Sequence, residues 1–239
     1  MLPNLVHEGY CEKAFAAQVT AKEYLTFVAM PFRESFSYRS RQVFEDLICA
    51  AAEKANTLIR NSRTTPDDRR CRYFARPRRA DDAVGVAGEI PDDIVRSILD
   101  AHVFVADLTL PNRGVDIELG IALGLKPNSQ IVFLLDADAS ELHFDVRNRR
   151  VINYRRDDPT GSVAGKIAEA LRESVRSFED DTKAFVDSIK RKLTAGAIVF
   201  LNHYHYNAEN QLVSSQLRSP LTWYPSARSC LSRFLRALR

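Results

Sequence analysis

Short apolar runs alternate along this chain with segments of helical period, and that alternation restricts the fold more than any other feature. Residues 25–30 (LTFVAM) form the first run and stop at Pro31; residues 102–108 (HVFVADL), 130–136 (QIVFLLD) and 150–154 (RVINY) follow. Residues 71–75 (CRYFA) make a further candidate, second in chain order. Between the runs the period changes. Phe44, Leu47, Ile48, Ala51 and Ala55 share one helical face, which predicts a helix from Gln42 to about Lys54. Ile90, Ile94 and Ile98 form a second stripe beside Val95 and Leu99, with Pro91 and acidic residues suited to its first turn. Residues 115–125 predict a third helix. Strands separated by helices cannot join as hairpins; they pair in parallel, with helices on both faces.

The expectation is a flavodoxin-like, three-layer α/β domain over residues 25–175, built on a five-stranded parallel sheet. An N-terminal segment (1–24) precedes it, and a mostly helical extension (176–239) follows. Residues 162–178 and 180–193 read as two successive helices. Residues 226–238 (SARSCLSRFLRAL) read as a terminal amphipathic helix with Leu231, Phe234, Leu235 and Leu238 on one face, suited to a homo-oligomer contact or to packing on the core.

Composition excludes some partners. With 34 basic and 31 acidic residues the net charge is +3, too near balance to favour nucleic acid. The basic run at 69–79 (RRCRYFARPRR) reads as a solvated loop. No apolar span suits a membrane, and no secretory pattern opens the chain. Cys11, Cys49, Cys71 and Cys230 lack metal-ligand spacing and read as free thiols, which points to the cytoplasm. His203 and His205 have no acidic or cysteine partner nearby in sequence, so no metal site is expected.

The chemistry is expected where parallel strands end. Asp107 closes the third apolar run, either as a turn-capping carboxylate or as a group at the mouth of the sheet. Glu118 follows in the opening turns of the next helix, where a helix terminus favours the ionised form of a carboxylate. Gly120, Ala122 and Gly124 leave that helix small-sided, permitting close packing or close approach of a ligand. Arg33 offers a donor fork to a phosphate, and Tyr38 a ring to a base, against plainer roles as loop and packing residues. Asp145 and Arg147 are expected to form a salt bridge.

Five fragments in order, FVAMPF, RADD, GEIPDDIVRSILDAHVFVADLT, PNRGVDIELGIALG and FDVRNRRVINY, resemble the nucleoside 2-deoxyribosyltransferase-like group, which is related to TIR-type NAD-cleaving domains. The resemblance covers residues 25–155. It implies that Glu118, in the ELG element, is catalytic and that Asp107 helps hold the sugar. It also implies that Asp81 or Asp82 lies near the base or ribose. Met30, Pro31, Phe32 and Arg33 would line the pocket, and Asn112, in the element that opens the catalytic helix, would bind the substrate. Ile117 stands where such proteins often carry an aromatic residue.

The expected reaction is therefore cleavage or transfer of an N-glycosidic bond on a nucleoside or dinucleotide, with NAD as a substrate and no cofactor required. Positive charge develops at the anomeric carbon, and a carboxylate either stabilises it or attacks it. A nucleoside deoxyribosyltransferase is one alternative. Another is a module that senses a nucleotide-derived ligand without turnover. The TIR-type resemblance further implies antiviral defence and a partner within a defence system.

Overall fold

The apolar runs form one sheet. The structure, a computed structural model, describes residues 15, 17–32, 38–62, 72–80, 92–138, 151–155 and 162–192. Its strands are β1 (Thr26–Ala29), β2 (Arg78–Arg79), β3 (Val103–Asp107), β4 (Ile131–Asp136) and β5 (Val151–Tyr154). All pair in parallel, in the order β2-β1-β3-β4-β5. The chain therefore leaves β1 toward one edge and returns to its other side as β3. That reversal opens a crevice at the carboxyl ends of β1 and β3, where open α/β sheets take their ligands.

Helices cover both faces. The first helical run, α1, comprises Ser40–Gln42, a π-helical segment Val43–Cys49 and Ala50–Asn61. It starts earlier and ends later than the apolar stripe predicts. The others are α2 (Asp92–Asp100), α3 (Arg113–Leu125) and α4 (Ser162–Lys192). Strand alternation sorts the core into two layers. Val28, Val105, Val132 and Leu134 pack with α1 and α4 residues such as Leu47, Ile48, Ile167 and Leu171. Phe27, Phe104, Ala106 and Phe133 pack with Ile98 of α2 and Val115, Leu119 and Ala122 of α3. This is the three-layer architecture expected, with the helical extension continuing along α4. The chain divides into two compact units, Ala21–Phe178 and one formed by Met1–Thr20 with Glu179–Arg239. In the second, the rings of Phe15 and Phe185 meet edge to face at 5.5 Å.

Three local expectations are corrected. Among the described residues the run CRYFA contributes an isolated parallel bridge, Phe74 to Tyr24, made by Tyr24 N–H donating to the Tyr73 carbonyl and Ala75 N–H to the Tyr24 carbonyl, while the Asn56 side chain pins the Phe74 backbone with two further hydrogen bonds. Pro77 has no N–H to extend it, and the second strand is Arg78–Arg79. The basic run is accordingly no solvated loop at its end, since Arg79 is buried. Residues 162–178 and 180–193 are not two helices; one helix runs from Ser162 to Lys192. The terminal amphipathic segment, the two histidines, Asp145 and Arg147 lie outside the described residues.

At the amino edge of the sheet, Lys126 caps α2 from the end of α3. Its buried ammonium group donates to the carbonyls of Leu99, in the last turn of α2, and Ala101, just past its end. Burial pushes its pKa down to about 7, with the charge of Asp100 working the other way. Below about pH 7 folded and unfolded chains are both protonated, and the full cost of the buried charge is present. Between about 7 and the ordinary 10.5 only the unfolded chain keeps the proton, so stability rises with pH. Lys126→Met should remove this slope. Between pH 7 and 10, wild type should gain stability relative to the variant by an amount on the order of a few kcal/mol. Parallel denaturation midpoints across that range would contradict it.

Candidate active site at the carboxyl edge of the sheet

Asp107 ends β3 with its side chain fully buried, on the α1 and α4 side by strand alternation. Its Oδ2 lies 2.8 Å from the Tyr38 hydroxyl and 2.9 Å from the Tyr154 hydroxyl. Its Oδ1 accepts from the Thr109 backbone N–H at 3.0 Å and from the Thr109 hydroxyl. The Thr109 hydroxyl also lies 2.8 Å from Tyr154 and accepts from the Asp136 N–H at 3.0 Å. One carboxyl thus ties the end of β3 to β4, to β5 and to the segment before α1.

The Tyr38 and Tyr154 hydroxyls donate to Oδ2, and the Thr109 hydroxyl and N–H donate to Oδ1, so both carboxyl oxygens accept. Burial drives the Asp107 carboxyl above the ordinary carboxylate range, and the hydrogen bonds of Thr109, Tyr38 and Tyr154 offset only part of that effect. Burial, followed by the Asp107 charge, also raises both tyrosine hydroxyls, so they stay protonated.

Glu118 lies on the other layer. It shares the sheet-facing stripe of α3 with Val115, Leu119 and Ala122 and is 6% exposed. α3 packs against both β1 and β3, the strands that flank the crevice. The helix begins at Arg113, so Glu118 is its sixth residue and lies past the first turn, where the helix dipole acts. The first-turn carboxylate is Asp116. Gly120 and Gly124 do not mark a close approach either. A Cβ at each would meet nothing within 4 Å, because both face outward.

The remaining expected residues separate. Asn112 is the N-cap of α3, its Oδ1 accepting from Gly114 N at 2.9 Å and Val115 N at 3.3 Å. Tyr38 is buried in the Asp107 network, so its ring is not open to stack on a base. Met30 and Pro31 are buried just past β1, whereas Phe32 is 45% exposed. Arg33, Asp81 and Asp82 lie outside the described residues. Arg79, Tyr154 and Asp136 belong to this edge but were absent from the expected set. Each ends a strand, and that position is the sequence signal that marks them. No group of three metal-binding side chains is found among the described residues, and no helix among them is long and apolar enough to cross a membrane.

The raised Asp107 pKa makes a signed prediction. Folding takes up a proton at Asp107, so its contribution is fully present below the unfolded value near 3.8 and is lost as pH rises through the folded value. Asp107→Asn keeps a neutral group there at every pH. The stability advantage of wild type over Asp107→Asn should therefore shrink as pH rises from below 3.8, as read by chemical denaturation. A constant or growing advantage would contradict it.

The chain matches no protein-family model and no curated protein with which it was compared. The flavodoxin-like α/β fold stands on the structure, and the likeness to deoxyribosyltransferase-like and TIR-type domains rests on the sequence fragments.

Proposed function

We propose that this domain cleaves the N-glycosidic bond of a nucleoside or nucleotide, with NAD as the leading candidate substrate. One observation carries the reading: Glu118 is a buried carboxyl group on the sheet-facing stripe of α3, the helix that packs on both β1 and β3. A carboxylate there suits a sugar whose anomeric carbon becomes cationic, by stabilising that charge or by forming a glycosyl-enzyme. We assign Asp107 a positioning role. Its oxygens are occupied by Tyr38, Tyr154 and Thr109, leaving none to hold a ribose hydroxyl directly. When nicotinamide leaves, its ring gains the bonding electron pair and becomes neutral, so departure needs no proton from a general acid. That division of labour fits one buried carboxyl that organises the edge and a second carboxyl that meets the sugar.

A ligand sensor without turnover is the second reading. The full occupation of Asp107 favours it, because a catalytic pocket of this kind otherwise gains a sugar-binding carboxylate at that position.

Incubation with NAD and, separately, with deoxynucleosides plus a free base, followed by chromatography, distinguishes these outcomes. Released nicotinamide supports hydrolysis, exchanged base supports transfer, and ligand protection without product supports the sensor. Glu118→Gln should lower turnover by roughly 10² or more while the variant still unfolds cooperatively, since glutamine keeps the shape and loses the charge. Equal turnover by both folded proteins would remove Glu118 from the reaction.

A further inference from the structure

We propose that the β5 edge of the sheet docks an extended segment of another protein as an added strand, one whose apolar centre is flanked by acidic residues.

The two edges of this sheet differ. β2 is blunt: it has two residues, both arginines, and Pro77 stands just before it. Brevity, charge and proline are ordinary means by which an edge strand is kept from pairing with another chain. β5 has none of the three. Val151–Tyr154 is four residues long, carries no charge and no proline, and ends the strand order on the other side.

One side of β5 is taken by β4. The Tyr154 carbonyl accepts from the Ala137 N–H at 2.6 Å, so the backbone groups of Tyr154 face β4. Those groups alternate in direction along a strand. Ile152 therefore faces β4 as well, and Val151 and Asn153 turn their N–H and C=O groups outward. Among the described residues no strand pairs with that outer side. Asn153 is exposed, and Val151 and Ile152 are only half-buried. Ile152 packs on one core layer and Val151 on the other. The side chains of an added strand would extend those layers, which selects an apolar centre.

Charge selects among occupants. Arg149 and Arg150 precede the strand and Arg155 and Arg156 follow it, with Asp157 and Asp158 only beyond the second pair. Arg155 is exposed. A second copy pairing antiparallel on β5, Val151 with Asn153, would set Arg149 of each copy opposite Arg155 of the other. Like charges directly opposite are destabilising. A segment with acidic residues on both sides of its centre meets opposite charge at both ends, whichever way it runs.

The test is NMR titration of the isotope-labelled full chain with three eight-residue peptides. The first has two aspartates at each end of a Val-Thr-Val-Thr centre. The second has lysines in place of the aspartates, and the third is the acidic peptide with every amide of its centre N-methylated. The acidic peptide should shift the Val151 and Asn153 amides and protect them from exchange. At low salt it should bind at least about tenfold more tightly than the lysine peptide, a gap that narrows as salt rises. The N-methylated peptide should not bind. Asn153→Pro removes an outward N–H and keeps the bonds to β4, so it should fold and lose the acidic peptide. Arg155→Glu should weaken the acidic peptide and strengthen the lysine one. No binding of the acidic peptide at millimolar concentration would overturn the proposal, as would equal affinity for the acidic and lysine peptides or full affinity in folded Asn153→Pro. Self-association of the unliganded chain that Asn153→Pro abolishes would also overturn it, making a second copy the occupant.

Discussion

The carboxyl edge of this sheet depends on one group, the buried carboxyl of Asp107. An isolated carboxylate with no access to water would be prohibitively costly in a protein interior. Here the carboxyl is closed in by a ring of hydroxyl groups, those of Tyr38, Tyr154 and Thr109, all of which donate to it. Tyr38 comes from the segment after β1, Thr109 from the turn after β3, and Tyr154 from the end of β5. The Thr109 hydroxyl extends the same connections to the last residue of β4. The ring ties together chain segments far apart in sequence at the edge where ligands of this fold bind.

That arrangement separates the two carboxyl groups to which the sequence drew attention. Strand alternation sends Asp107 toward α1 and α4, while α3, carrying Glu118, covers the opposite face. They do not form a side-by-side acid pair. Asp107 ties together the carboxyl edge, and Glu118 packs between α3 and the sheet. Arg79 is also buried at this edge, its guanidinium carbon 5.4 Å from the centre of the exposed Phe32 ring.

Much of this fold was legible because two periods are easy to separate. Leu47, Ile48, Ala51 and Ala55 were read as one helical face and are buried together, and the runs at residues 25–30, 102–108, 130–136 and 150–154 all became strands. The second strand was not legible, because two arginines carry no apolar signal and their pairing is set by β1 rather than by propensity. Asp107 was read as a residue at the strand end, but its partners come from up to 69 residues away, beyond the reach of any local pattern. Glu118 was singled out from its place in the ELG element and near the helix start. Its burial follows from the stripe with Val115 and Ala122 rather than from the helix terminus. Asn112 shows the opposite case, a polar residue before a helix whose ordinary capping role accounts for its side-chain oxygen.

The central claim is that burial holds the Asp107 carboxyl above the ordinary carboxylate range despite the hydrogen bonds it accepts. Infrared difference spectroscopy between wild type and Asp107→Asn, followed as pH rises from below 3.8, tests it most directly. A protonated carboxyl absorbs in the carbonyl region, apart from the symmetric and antisymmetric stretches of carboxylates. The expected result is a protonated-carboxyl band, absent from the variant, that persists to higher pH than the bands of exposed carboxyl groups. A band that disappears together with theirs, or at lower pH, would contradict the account.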